Sequence, residues 1–475
     1  MFTHFFARLT GKPGSSGHRI RGLASVLRVL AVAAALALIA YSGGGSAQTV
    51  SSDSAKLVKA SWASRAMQAR NGPTAEPAAK AAGAGICGSA IALSSDACKK
   101  DASKNLTIGG SGCGPNVYVD KSFVGADQFD TITISPGATL CFPDATVKME
   151  IGSILVNGLL QIGQKGHPIG TDSPDTLVTL DFLGKRPCAA GTTCPGFSKG
   201  IQVLSGGSLQ MYGLKGVPPN GLNWTYLSQP AGPPRDYGKG TGVTVPVGPG
   251  AADTLRVADD VTQGNGRWQP KDWITVGSTS FAPFDTEVVR IAKIVPKPSD
   301  NPAGSDIILD TPLVHYHFGS QAPTPSQLCT TSTGAAYYAC GSAPTGCTSA
   351  CISQPSPLNY SDPAAQNYGV DERAPVALLT RNIQLTSKIA GKDAANSHWG
   401  GETRILSGFK EFSVQGVELQ KFGKDQLASY PIHFHMDGDA SASTVLVDSN
   451  SIDHSYNKCV TVHSTQNLTI SNTVC

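Results

Sequence analysis

Tyr430-Pro431-Ile432-His433-Phe434-His435-Met436-Asp437-Gly438-Asp439 sets two histidines two apart beside two carboxylates, and the pattern recurs. Val460-Thr461-Val462-His463 lays over Ile432-His433-Phe434-His435 apolar on apolar, which puts His463 against His435. Successive side chains of an extended strand point to opposite faces, so Ile432 and Phe434 share one face and His433 and His435 the other. The first face suits a core and the second is free for chemistry. Neighbouring strands keep step: Val414, Val447 and Ile470 are followed at the same interval by Leu419, Ile452 and Cys475. Coils laid one on the next, with connecting loops of unequal length, describe a parallel β-helix.

The same grammar extends towards the N-terminus. Short alternating strands are predicted at Thr131-Ile132-Thr133-Ile134, Ser153-Ile154-Leu155-Val156 and Ile201-Gln202-Val203-Leu204. Gly158-Leu159-Leu160-Gln161-Ile162 resembles Gly207-Ser208-Leu209-Gln210-Met211, and Gly137-Ala138-Thr139-Leu140 is a weaker copy ahead of the first. Each leading glycine is expected at a corner, with a φ that other residues avoid. Gln229-Pro230-Ala231-Gly232-Pro233-Pro234 then marks a boundary. Beyond it, Thr254-Leu255-Arg256-Val257, Trp273-Ile274-Thr275-Val276 and Ile307-Ile308-Leu309 have hairpin-like spacing.

The chain therefore divides into 1–47, a signal peptide or anchor; 48–109, a linker or stalk; and 110–235, a solenoid-like β domain. It continues as 250–318, a β block; 319–370, a Cys-rich loop insertion; and 371–475, the start of a parallel β-helix. Because the sequence stops at Cys475 inside a coil strand, a truncated gene product or a fragment is expected.

Composition agrees with an all-β chain: 53 glycines and 31 prolines among 475 residues favour turns and strands over long helices. A net charge of +3 without a basic stripe excludes nucleic acid as the expected partner. Basic residues from Arg8 to Arg28 precede an apolar run from Val29 to Tyr41 and the small residues Gly45-Ser46-Ala47, the order of a secretory signal. The rival reading is an uncleaved anchor in residues 29–41, which would be the chain's one link to a membrane, or a periplasmic address. All 12 cysteines follow residue 47, which with export favours disulfides over thiols. Cys188 with Cys194, and Cys329, Cys340, Cys347 and Cys351, sit where local staples make sense; Cys347 and Cys351 lack a paired set at zinc-finger spacing.

Three groups of residues carry a family resemblance. The first is the block Cys113 to Leu227, with Gly158-Leu159-Leu160-Gln161-Ile162-Gly163, Gly206-Gly207-Ser208-Leu209 and Asn223-Trp224-Thr225-Tyr226-Leu227, which resembles a G8 domain. The others, Leu378-Leu379-Thr380-Arg381-Asn382-Ile383 with Tyr430 to His435 and Cys459 to His463, resemble segments C-terminal to that domain in the hyaluronan-depolymerising and fibrocystin-like G8 proteins. The resemblance implies a right-handed, single-stranded, pectin-lyase-like parallel β-helix, a secreted or cell-surface setting, and action on hyaluronan or a similar acidic polysaccharide. Two features depart from it. The GG domain of the hyaluronidases has no room in the short stretch between Leu227 and Thr254, and Gly400-Gly401-Glu402 stands where the family tends to show Gly-Gly-His.

The candidate catalytic residues are His433, His435, Asp437, Asp439 and His463. Imidazoles can exchange protons near neutral pH, and a carboxylate pair can serve a glycoside hydrolase of hyaluronidase type. His433, His435 and His463 are also the candidate ligands of a divalent metal, the one cofactor considered. His398, Glu402, Tyr430 and Thr461 are candidate substrate-binding neighbours. The bland alternative is a histidine ladder bonded to loop backbone, with Asp437-Gly438-Asp439 making a turn, in a non-catalytic adhesion protein. For His315 and His317, structural packing is the favoured reading.

Overall fold

In the computed structural model the residues described are 84–189, 192–233, 252–299, 304–319, 328–330, 336–338, 373–388 and 398–475. The signal or anchor and most of the linker lie outside them, as do the side chains of the Cys-rich insertion. Among the described residues no helix is long and apolar enough to cross a membrane.

Apolar side chains at fixed strand positions stack coil upon coil, and that stacking builds the molecule. One sheet runs through eight parallel strands, from Ile91–Ala92 to Ile470–Ser471. Its central ladder is Val117, Leu140, Leu160, Leu209, Phe412 and Val445, each paired with the next. A second face carries Ile108, Ile134, Val156, Val203, Ile405, Phe434 and Val462 in the same manner. A third stacks Met149, Leu180, Leu385, Leu419 and Ile452. The long strand Val147–Val156 joins the last two, pairing through its first half with Val178–Phe182 and through its second with Gly200–Val203. These ladders close around one apolar core. The fold is a parallel β-helix.

The stack is continuous across a large insertion. Ser208–Tyr212 lies directly on Glu411–Gln415, and Val178–Phe182 on Ile383–Ser387, so residues before 213 and after 382 share one helix. Between them the chain leaves to form a six-stranded antiparallel sheet. The hairpin spacing seen in the sequence is realised in Trp273–Val276, Glu287–Lys297 and Gly304–Leu309. This block has its own core around Trp268, Ile274 and Ile307, and the buried Lys215–Asp272 ion pair (2.8 Å) ties it to the helix.

Two details differ from the expectation. Aligning Gly137 with Gly158 would set Leu140 opposite Gln161, whereas Leu140 pairs with Leu160, because the register follows the buried leucines and not the glycines. Positive φ belongs to Gly137 and Gly206 (79° and 80°). Gly158 and Gly207 are small for another reason: a Cβ there would sit 2.3 Å from the Ala138 carbonyl oxygen and 2.1 Å from that of Val156.

Disulfides join Cys87 to Cys141, Cys98 to Cys113, Cys188 to Cys194 and Cys459 to Cys475. Four bonds among the described residues agree with folding in an oxidising compartment.

Phe434 is fully buried in its ladder, whereas Val462 one coil later is 44% exposed. Phe434→Ala is expected to cost about 3–5 kcal/mol and Val462→Ala less than about 1 kcal/mol, measured by denaturant titration; similar costs at both positions would contradict the ladder.

Candidate functional site

On the second face, the side chains alternating with the core ladder form an outward row. Arg404 pairs with His433 and His433 with Thr461, while Leu406 pairs with His435 and His435 with His463. The rings converge: centroids of His433 and His435 lie 4.8 Å apart, of His435 and His463 5.4 Å, and His433 stacks nearly parallel to His463 at 6.3 Å. Exposure rises along the row, with His433 buried, His435 intermediate and His463 exposed. Tyr430 packs edge-on against His433 at 4.9 Å and is itself buried, so it positions that ring. The Nδ1 of His433 lies 3.2 Å from the Ala428 carbonyl oxygen and donates to it in the matching tautomer.

Burial pushes the His433 imidazole down to about 4, helped by the charges of His435 and Arg404. His435 is lowered too, again by burial first and then by Arg404. Both rings are therefore neutral at physiological pH, available as hydrogen-bond partners or as ligands.

The strict alternation ends just after His435. The register shifts between His435 and Gly438, with Met436 at φ 58° and Gly438 at 70°, a β-bulge that re-aims the side chains around it. Met436 is thrown into solvent and Asp437 is drawn in. Burial raises the Asp437 carboxyl to about 6, against the hydrogen bond from the Thr465 hydroxyl. Asp439 has a different place. It is exposed, accepting from the Ser441 N–H and the Asn467 amide, as a turn residue does.

Glu402 and His398 have settings different from those of the three histidines. Glu402 is wholly buried, and its carboxylate accepts from Lys424 (2.7 Å) and Arg404 (2.8 Å). Lys424 lies over the Trp399 ring, whose other cationic neighbour is Arg186. Lys199, fully buried, donates to the carbonyls of Trp399 and Lys388, and burial lowers it to about 8. Glu402 thus braces Arg404 from beneath and does not face solvent. His398 stands against Tyr456 at 5.2 Å.

Arg404 is the site residue that the sequence reading missed. Laying Ile405 over Phe434 would have found it, since that register places Arg404 beside His433.

Buried polar atoms without a protein hydrogen-bond partner occur along this row at Arg404 Nε, His435 Nδ1 and Thr461 Oγ1, and beyond the bulge at Asp437 Oδ1. Buried polar groups are ordinarily satisfied, so unpartnered atoms on neighbouring residues stand out. The three histidines also bring ring nitrogens within 4.8 Å of one another, a donor set that fits a divalent ion preferring nitrogen. His315 and His317, by contrast, are absorbed by the antiparallel block, where His317 is wholly buried between the Gly277 carbonyl and Glu287.

Two segments of this stack match known family models, one at its start and one carrying the histidine row. Residues 102–228 match the G8 domain family and residues 398–475 the family described as CEMIP beta-helix. Human cell surface hyaluronidase CEMIP2 is 35% identical over 119 residues, 22% of this chain and 9% of that protein. The mouse cell migration-inducing and hyaluronan-binding protein is 31% identical over 143 residues, 27% of this chain and 10% of that protein. A G8 domain-containing protein of Dictyostelium discoideum is 36% identical over 350 residues, 73% of this chain and 23% of that protein. The chain thus matches a quarter or less of the length of each of these relatives.

Glu402→Gln would leave the buried Lys424 and the half-buried Arg404 of the row short of their anion. A loss of about 3–5 kcal/mol is expected, recovered in part when Lys424→Met is added; a thermal or denaturant midpoint unchanged by Glu402→Gln would contradict the bracing role.

Proposed function

We propose that this chain engages an extracellular acidic polysaccharide of the hyaluronan type through the row Arg404, His433, His435, Thr461 and His463. The single observation that carries this reading is the set of unpartnered buried polar atoms lining an open face of a β-helix, next to a braced arginine. A guanidinium offers the donors that a sugar carboxylate accepts. Neutral imidazoles and a threonine hydroxyl supply the directional partners for sugar hydroxyls. The hyaluronan-related names of the relatives, and the disulfides among the described residues, support a secreted or cell-surface setting for that encounter.

Recognition is better provided for than cleavage. A hydrolase of the usual kind needs two carboxyl groups flanking the bond. Glu402 is locked between cations and Asp439 holds a turn, which leaves Asp437. Its raised carboxyl on the histidine strand is the observation that favours depolymerisation as the second reading: Asp437 would donate the proton to the leaving oxygen while a water attacks the anomeric carbon and gives its proton to a neutral imidazole of the row.

Retention and size of hyaluronan, measured together on the oxidised full chain, test both readings. Hyaluronan is expected to bind and neutral dextran not to bind, with His435→Ala weakening retention about tenfold, or ~1.4 kcal/mol. Shortening of the polysaccharide that is lost in Asp437→Asn while retention persists would establish cleavage. Equal retention of dextran and hyaluronan would sink the acidic-polysaccharide reading.

A further inference from the structure

We propose that His433, His435 and His463 form a binding site for a zinc-class divalent ion, with one coordination position open to solvent. The inference deepens the reading of this face as the working one and rests on it. Three observations on independent parts of the site carry it.

The donors converge from adjacent coils. One ring nitrogen from each histidine lies within 4.8 Å of the other two, and the parallel register between Ile432–Asp439 and Val460–Gln466 holds them there. Zinc–nitrogen bonds of about 2.0–2.1 Å call for somewhat closer nitrogens, a gap that rotation of the exposed His463 ring would close.

The ring nitrogens are also sorted for the task. His433 commits Nδ1 to the Ala428 carbonyl, the outer-shell contact that fixes a tautomer and leaves Nε2 as the ligand atom. His435 keeps a buried Nδ1 with no protein partner.

The third observation is the chemistry of the donor set, which selects the ion. Three imidazoles and no carboxylate oxygen among the converging atoms suit zinc, cobalt, nickel or copper and do not suit calcium or magnesium. Asp144, His167 and Asp172 form another grouping of potential donors. There, however, the Asp144 oxygens already accept the N–H groups of Gly170 and Asp172, both at 2.7 Å, and the carboxylate serves the loop. With His463 at the solvent edge, the open position of the histidine site faces outward, where a water or a sugar carboxylate can occupy it.

The test is calorimetric titration of the untagged, oxidised full chain, stripped with a chelator, with zinc chloride, and a parallel titration with cobalt read by its visible absorption. One saturating equivalent is expected, resisting a thousandfold excess of calcium or magnesium. His463→Ala, a change at an exposed position, and His435→Ala are each expected to weaken binding at least tenfold, with circular dichroism and thermal midpoint of His463→Ala unchanged. Absence of saturable zinc binding overturns the proposal. So does binding that survives in the His435→Ala, His463→Ala double variant, which would put the ion elsewhere. Hyaluronan retention on the same metal-free and zinc-loaded samples separates the two readings. Zinc bound at the histidines without retention in either sample supports the metal site and removes the polysaccharide reading; retention without zinc binding does the reverse.

Discussion

Each coil of this protein has to set its apolar side chains on the line defined by the coil before it, and everything else in the structure depends on that register. A slip of one residue would exchange the core row for the outer row along the whole strand. Because Phe434 is held on Ile405 and below Val462, the residues on either side of it have no freedom of facing: Arg404, His433 and Thr461 must fall in line, and so must His435 and His463. The outward row is a by-product of core packing. That is also why the long excursion between Tyr212 and Ile383 leaves the face intact: the chain returns to the same ladders on both sides of it.

A second constraint is electrostatic. Holding Arg404 rigid beside neutral imidazoles requires a buried anion, and Glu402 supplies it while shared with Lys424. Buried charges cost a great deal of hydration, and leaving one partner alone costs more than replacing the whole set with apolar groups would. The structure uses that costly arrangement at the row with the unpartnered polar atoms. Rigid charge beneath, and unsatisfied donors and acceptors above, is the layout that the proposed binding would use with little reorganisation.

Much of this was legible in the sequence. Laying Val460 on Ile432 gave the true pairing of His435 with His463, and alternation gave the correct facing of Ile432 and Phe434, since period-two patterning survives wherever one face is core. Other features were not legible. The bulge after His435 is set by backbone angles at Met436 and Gly438, which alternation cannot anticipate, so Asp437 and Asp439, equivalent in sequence, end in opposite environments. Glu402 read as a polar neighbour of the site because its charge was visible and its two cationic partners, Arg404 and the more distant Lys424, were not. Gly158 and Gly207 read as corner residues, whereas the close approach of a neighbouring carbonyl decides them, a contact across coils that local sequence does not carry. The direct stacking of residues 208–212 on 411–415 was hidden by the inserted block.

The register that aligns the histidines is read directly by disulfide trapping. Cysteines introduced pairwise in place of histidines report Cα separation, since a bond forms readily only at about 4.4–6.8 Å, the spacing of directly paired strand residues. His435→Cys with His463→Cys is predicted to cross-link fully on mild oxidation without loss of thermal stability, while the diagonal pair His433→Cys with His463→Cys does not. Cross-linking of the diagonal pair in preference to the direct one would contradict the register, and with it the site.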